Sequence, residues 1–295
     1  VTGELAFIEA LRRIASNPAA RGLNDDCAVL EVGTETLILT HDAMAEGVHY
    51  LAGQDPADVA WKLISTNMSD LAAKGAEPLC VLLGYMLGRD DARFVAGLDE
   101  ALTHYNVPLL GGDTIAGTGA QVLGLTALGR ATHRPVPSRS GARPGNALYV
   151  TGALGAAMLG LEALRSGLGD SLAYRRPQAL LAEGRALAPY VTAMMDISDG
   201  LLLDAARMAR ASGVTLSIDS LSVPIAAPES RRAEAMRWGD DYQLLFTAPS
   251  GTTLPLPAFR IGLALAKAEA PILLDGTSLS EADGIGYQHN PEPYA

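Results

Sequence analysis

The 295 residues are 48% hydrophobic and 19% charged, a globular composition long enough for two ordinary domains whose cores need no disulfide or metal staple. A net charge of −11 leaves no basic surface for nucleic acid, and the two cysteines, Cys27 and Cys80, form neither a CxxC pair nor a ligand cluster. The longest apolar stretch, around 81–87, is far too short to span a membrane, and the first residues lack the basic-then-apolar pattern of a secretory leader, so the expected compartment is the cytoplasm.

Leu5, Ile8, Leu11 and Ile14 recur at helical spacing until Pro18 and Gly22, which predicts an amphipathic helix. Two β-like runs follow, 27–32 and 36–40, separated by Gly33; Asp25 and Asp26 precede the first and Asp42 follows the second. Pro56 opens a second helix through Val59, Ala60, Leu63 and Ile64 to Leu71, with Gly75 as its end. A buried strand is expected over 81–87, a helix over 92–105, and a short strand over 107–110 running into Gly111, Gly112, Asp113 and Thr114. This alternation predicts an α/β class, mixed in the sense of α+β.

Pro135, Pro137, Gly141, Pro144 and Gly145 then interrupt the periodicity, which places a boundary near Val136 and Pro137 and divides the chain into domains 1–137 and 138–295. The second part restarts with a strand over 147–151, a turn over 152–155 and a helix over 156–164. A further helix runs from the Asp196–Asp199 region to Ala211, and strands are expected over 215–218 and 243–247.

The sequence has no GxxxxGK[ST] phosphate loop, no GxSxG elbow and no HExxH helix. Gly152 and Gly155 lack the full GxGxxG pattern and read as a tight turn. What recurs is aspartate beside Gly, Ser or Thr at the ends of elements, the residue pattern of hard-cation sites. Each instance has an ordinary alternative. Asn67, Asp70 and Lys74 share one side of the second helix, where Asp70 and Lys74 also suit an exposed ion pair. Asp196, Ser198 and Asp199 precede a helix and can cap it, hold a hydrated metal, or offer phosphate contacts at its start. Gly111–Gly112 reads as a plain turn or as close ligand approach, and Asp25–Asp26, Asp42 and Asp240–Asp241 are individually ambiguous in the same way.

In combination and order, these segments resemble the thiamine-monophosphate kinase family of the aminoimidazole-ribonucleotide-synthetase-like superfamily. The resemblance spans nearly the whole chain through Asn24-Asp25-Asp26-Cys27-Ala28, Thr40-His41-Asp42, Glu46-Gly47-Val48-His49, Asn67-Met68-Ser69-Asp70-Leu71-Ala72-Ala73, Gly111-Gly112-Asp113-Thr114, Arg139-Ser140-Gly141-Ala142, residues 196–201, Gly239-Asp240-Asp241-Tyr242 and Gly286-Tyr287-Gln288-His289. It implies Mg²⁺ ligands at Asp26, Asp42, Asp70, Asp113, Asp196 and Asp199, with Thr40 and His41 contributing nearby; ATP contacts at Gly112, Asp113, Arg139 and Ser198; and thiamine monophosphate contacts at His49, Asp240 and Tyr287. The implied reaction moves the γ-phosphoryl of ATP onto the acceptor phosphate, which is already largely an oxyanion near neutrality, so direct in-line transfer without a catalytic base is expected. The implied architecture is two α/β domains, the N-terminal sheet pairing across a homodimer and the C-terminal sheet flanked by helices. Asn24, His41, Asp240 and Asn290 depart from the family pattern, as does the reduced stretch Arg176-Pro177-Gln178-Ala179. The alternatives are another ATP-dependent enzyme of the superfamily, for whose selenophosphate chemistry Cys27 is a poor nucleophile, and a non-catalytic nucleotide- or metal-binding regulator.

Overall fold

The computed structural model describes residues 4–288. Helix α1 (Glu4–Arg12) and a 3-10 segment lead into a hairpin, β1 (Ala28–Val32) and β2 (Glu35–Ala45). Its turn is the two residues Gly33 and Thr34, and Gly33 supplies the positive φ of 61° that such turns require. The chain continues through α2 (Pro56–Ala73), β3 (Ala76–Met86), α3 (Asp91–Tyr105), β4 (Leu109–Ile115) and β5 (Val122–Ala131). These strands form a sheet in the order β1-β2-β5-β3-β4, antiparallel except for the β3–β4 edge.

Beyond it come β6 (Asn146–Val150), α4 (Ala156–Ser166), α5 (Leu172–Arg175), α6 (Leu181–Leu187), β7 (Ala193–Asp196), α7 (Leu201–Ser212), β8 (Val214–Ile218), α8 (Arg232–Ala235), β9 (Leu244–Pro249), β10 (Phe259–Ala266), β11 (Ile272–Leu274) and β12 (Thr277–Leu279). The second sheet has the order β12-β11-β8-β10-β6-β9-β7, parallel only between β8 and β11. The fold is thus mixed α/β on two largely antiparallel sheets. Among the described residues no helix is long and apolar enough to cross a membrane.

Helix α2 lies between the two sheets. It packs on β2, β3 and β5 on one side and on α6 and β7 on the other, and α3 covers a third flank. Of its 18 residues, all but Pro56 and Asp70 are buried. A helix enclosed all round is normally apolar all round. This one carries Asp58, Lys62, Ser65, Asn67 and Ser69 into the interior, so each polar group must find a partner there. Asp58 takes Arg175 and Arg176, Ser65 takes the Tyr105 hydroxyl at 2.9 Å, and Ser69 donates to Asp196 at 2.6 Å. One apolar core runs from the first sheet across α2 to Leu187, Met194, Leu244 and Phe246, while a second surrounds α7 and the far strands.

Three expectations change. The run at 36–40 continues to Ala45, because β5 supplies partners in register for His41 to Ala45, so Asp42 lies within a strand. Gly111–Thr114 belongs to β4 and is no turn: a Cβ on Gly112 would sit 1.9 Å from the Leu83 carbonyl oxygen of β3, so glycine is what permits the pairing. Lys74 does not pair with Asp70 on an exposed surface; it caps α2 from a fully buried position and faces Asp25 and Asp26.

Candidate functional site

A cleft of about 1390 Å³ opens between the sheets beside α2. Into it project Asp26 from just before β1, Asp42 from β2, Asp70 from the last turn of α2, and Asp196 and Asp199 from the β7–α7 connection. One carboxylate oxygen each from Asp26, Asp70 and Asp196 lie within 4.8 Å of one another, a spacing that can hold a metal ion. Thr40 donates a short hydrogen bond to Asp70, and the Asp42 amide donates to the Asn67 side-chain oxygen at 3.2 Å.

The electrostatics of this group would favour a bound cation. Burial, reinforced by Asp42, Asp196 and Asp26, raises the Asp70 carboxyl well above the carboxylate range. Burial raises Asp42 likewise, with Asp199 and Asp26 adding to it. Burial and the neighbouring Asp26 push Asp196 up to about 8. Like charges at this density cannot all ionise without compensation. A divalent cation would supply it, most directly at Asp42, Asp70 and Asp196, since the oxygens of Asp26 already face Lys74 and Arg139, each at 2.5 Å.

The loop holding Asp196, Ser198 and Asp199 is pinned from inside α7. Asp204 accepts from the Ser198 and Asp199 amides at 3.1 and 3.0 Å, and Arg207 bridges Asp204, at 2.9 Å, to Asp199. None of the three expected residues caps α7, whose N-cap is Gly200. Their side chains are left for the cleft. Arg139 reaches Asp26 from the linker between the sheets, with Nη2 2.5 Å from Oδ1.

His49, Asp240 and Tyr287 line the same cleft, and the Asp240 amide donates to the Ser198 carbonyl at 2.9 Å. Asp240 is held by Lys62 of α2 at 2.8 Å and by the Tyr242 hydroxyl at 2.9 Å. Lys62 also donates to the His49 carbonyl at 3.0 Å and lies 4.0 Å over the Tyr174 ring. The Ala45 amide donates to His49 Nδ1 at 3.0 Å, which puts the proton of a neutral ring on Nε2. The Tyr287 amide donates to the Asp199 carbonyl at 2.9 Å, which carries its half-exposed ring to the cleft. Asp241 turns away to the start of α4, where it accepts from Gly155 and Ala157 at 2.7 and 3.2 Å.

Not every expected residue arrives here. The His41 ring lies on the other face of β2, 2.9 Å from the Thr126 hydroxyl, so only its backbone adjoins the acidic group. Gly112 and Asp113 stand exposed on β4, the edge strand separated from β2 by β5 and β3, and line no part of this cleft. His289 and Asn290 lie outside the described residues. Cys27 is buried, and burial with the adjacent Asp70 raises its thiol well above the usual range, the reverse of an activated nucleophile. Lys62, Arg207 and Asp204 are the participants that the sequence reading passed over. The signal for Lys62 is a lone lysine among the apolar positions of α2.

Known proteins resemble the chain over nearly its whole length. Residues 24–131 match the family described as AIR synthase related protein, N-terminal domain, and residues 143–256 match the corresponding C-terminal domain. The thiamine-monophosphate kinase of Escherichia coli (strain K12) is 33% identical over 296 residues, covering 92% of this chain and 88% of that one. The Caulobacter vibrioides thiamine-monophosphate kinase is 36% identical over 273 residues, covering 85% and 76%. A solved chain described as AaThiL complexed with AMPPCP and TMP superposes with a TM-score of 0.86 at 31% identity, covering 97% of each chain. With this identity over nearly its full length, and with both domain types in order, the chain belongs to the thiamine-monophosphate kinase family.

Proposed function

We propose that this protein transfers the γ-phosphoryl group of ATP to thiamine monophosphate, forming thiamine diphosphate and ADP, with Mg²⁺ at the carboxylates of the cleft. The observation carrying this reading is the acidic group itself: Asp26, Asp70 and Asp196, with Asp42 adjoining, are spaced to hold a cation in the cleft, and a solved relative of the same fold is described as complexed with AMPPCP and TMP. Mg²⁺ held by Asp26, Asp42, Asp70 and Asp196 supplies the charge neutralisation that two meeting polyanions need in a protein of net charge −11.

The protein's own groups bind and orient. Arg139 and Ser198 stand at the acidic end for the nucleotide phosphates, and Asp199 is available there once Arg207 is shared. His49, Asp240 and Tyr287 line the same cleft, where a carboxylate suits the amino group of thiamine and a tyrosine face suits its cationic ring. The acceptor phosphate has a second pKa of about 6 and is already an oxyanion near neutrality, so no general base is required. Transfer is in line, driven by positioning.

A homodimer is part of this reading. Leu30 and Val32 on β1, Leu82 on β3, Leu109, Leu110 and Ile115 on β4, and Val122 on β5 are exposed apolar residues of the first sheet. A patch of that extent calls for a cover, and a second copy of the sheet is the cover proposed. Gly112 and Asp113 then meet nucleotide or metal only in the assembled pair. An assay of purified protein with ATP, Mg²⁺ and thiamine monophosphate, against free thiamine and EDTA controls, is expected to yield thiamine diphosphate in the first mixture alone. Absence of product overturns the activity, and a monomeric mass by light scattering overturns the dimer.

A further inference from the structure

The acidic residues of the cleft fall into two electrically different ends. Asp25 and Asp26 face three cationic side chains: Arg21 at 2.6 Å from Asp25, Lys74 at 2.5 Å from both carboxylates, and Arg139 at 2.5 Å from Asp26. Asp42, Asp70 and Asp196 have no cationic side chain at ion-pair distance among the described residues; the hydroxyls of Thr66, Thr40 and Ser69 serve them instead. Asp26 belongs to both ends, because it also shares the close trio with Asp70 and Asp196.

Lys74 decides where the division falls. Its side chain has no solvent exposure, its backbone caps α2, and among the described residues its one other polar contact is the Met194 carbonyl at 3.3 Å. An ammonium so enclosed cannot swing to water, and abandoning two carboxylates inside the protein would be strongly unfavourable. It stays in place when other cations arrive.

We propose that Lys74 is a tethered cation that occupies the Asp25–Asp26 end of the acidic set with protein charge and thereby confines divalent cations to the Asp42–Asp70–Asp196 end. This rests on the reading that the uncompensated end takes a divalent cation. A dication brought to the oxygen of Asp26 that Lys74 holds would meet an ammonium at contact distance, a repulsion well above thermal energy at any interior dielectric. Replacing the ammonium with an isosteric apolar chain opens that oxygen, together with Asp25, to metal.

The test is Mn²⁺ binding to the full chain, followed by electron paramagnetic resonance without ATP or thiamine monophosphate, for wild type and Lys74→Met. The expected result is one additional Mn²⁺ per chain, or binding at least about tenfold tighter, in the variant. Its melting temperature should also rise more on adding Mg²⁺ than that of wild type. Superimposable Mn²⁺ isotherms, with the melting temperature lowered equally in EDTA and in Mg²⁺, would reduce Lys74 to a structural role and overturn the proposal. Should Lys74→Met not fold, Lys74→Gln, which removes the charge but keeps a hydrogen-bond donor for Asp25 and Asp26, carries the same expectation. A protein that binds Mn²⁺ as expected but forms no thiamine diphosphate refutes the kinase reading, and not this one.

Discussion

On the proposed function, Asp70 contributes opposite effects to folding and to chemistry. Its carboxyl is raised by burial and by three neighbouring carboxylates, so ionising it in the metal-free protein costs stability. Asp70→Asn keeps an oxygen for the Thr40 hydroxyl and removes that charge. The variant is expected to melt higher than wild type in EDTA, by the equivalent of about 1 kcal/mol or more, while thiamine diphosphate formation falls about 100-fold or further. Loss of activity without the gain in EDTA would contradict the electrostatic account. At the proposed substrate contact Asp240, Lys62 fixes the carboxylate at 2.8 Å. Because Asp240 can still be hydrated when Lys62→Met removes its partner, we expect the KM for thiamine monophosphate to rise about tenfold with kcat changed much less. An unchanged KM would show that Asp240 needs no such support. Sequence spacing could nominate Asp70 but not its neighbours. The i,i+4 rule offered Lys74 as its partner, yet α2 ends at Ala73 and the next residue turns toward Asp25, forty-nine positions back.

Among the elements, α2 and α6 approach as closely as backbones allow, since a Cβ on Gly184 would lie 1.9 Å from the Ala72 carbonyl oxygen. Gly184→Ala should therefore destabilise the protein by about 1–3 kcal/mol in urea unfolding, with an unchanged m-value. A neutral result would mean that the helices stand further apart. The start of α2 was legible from Pro56, and its neighbours from apolar periodicity. Its enclosure was not, because Asp58, Lys62, Ser65 and Ser69 read locally as a solvated face; their partners Arg175, Asp240, Tyr105 and Asp196 lie 40 to 178 residues away. Strand β5 escaped notice for a related reason. Leu123, Leu125 and Ala127 alternate inward, but Gly124, Thr126 and Leu128 between them blur the period, and only pairing with β2 and β3 on both sides makes it the centre of its sheet. Asp113 was read correctly as following an apolar run, but no local signal tells that this run is an edge strand remote from the other aspartates.

At the scale of the molecule, the carboxylates couple stability to pH and, on the proposed function, to metal. Asp196 titrates at about 8 in the folded protein, and Asp42 and Asp70 are raised in the same sense by burial. Groups of raised pKa stabilise the fold fully below their unfolded value of about 3.9, and that contribution is lost as pH rises through the folded value. Asp25 works in the other direction: burial opposes its ionisation, but Lys74 and Arg21 hold it well below the usual range, so its contribution fades only in acid. The metal-free protein should consequently lose melting temperature between about pH 6 and pH 9, and Mg²⁺ should restore more at pH 9 than at pH 6. Scanning calorimetry with EDTA or Mg²⁺ at both pH values checks this, and a metal effect independent of pH would count against ionisation as its source. One further consequence follows from the position of α2. Asp70 is carried by this helix and Asp196 by β7, and the hydrogen bond from Ser69 to Asp196 ties the two supports together one residue from the cluster. The acidic cage is therefore the property of neither sheet; it comes into being when both close on their common keel, so that docking the halves of the molecule and arming its chemistry are a single event.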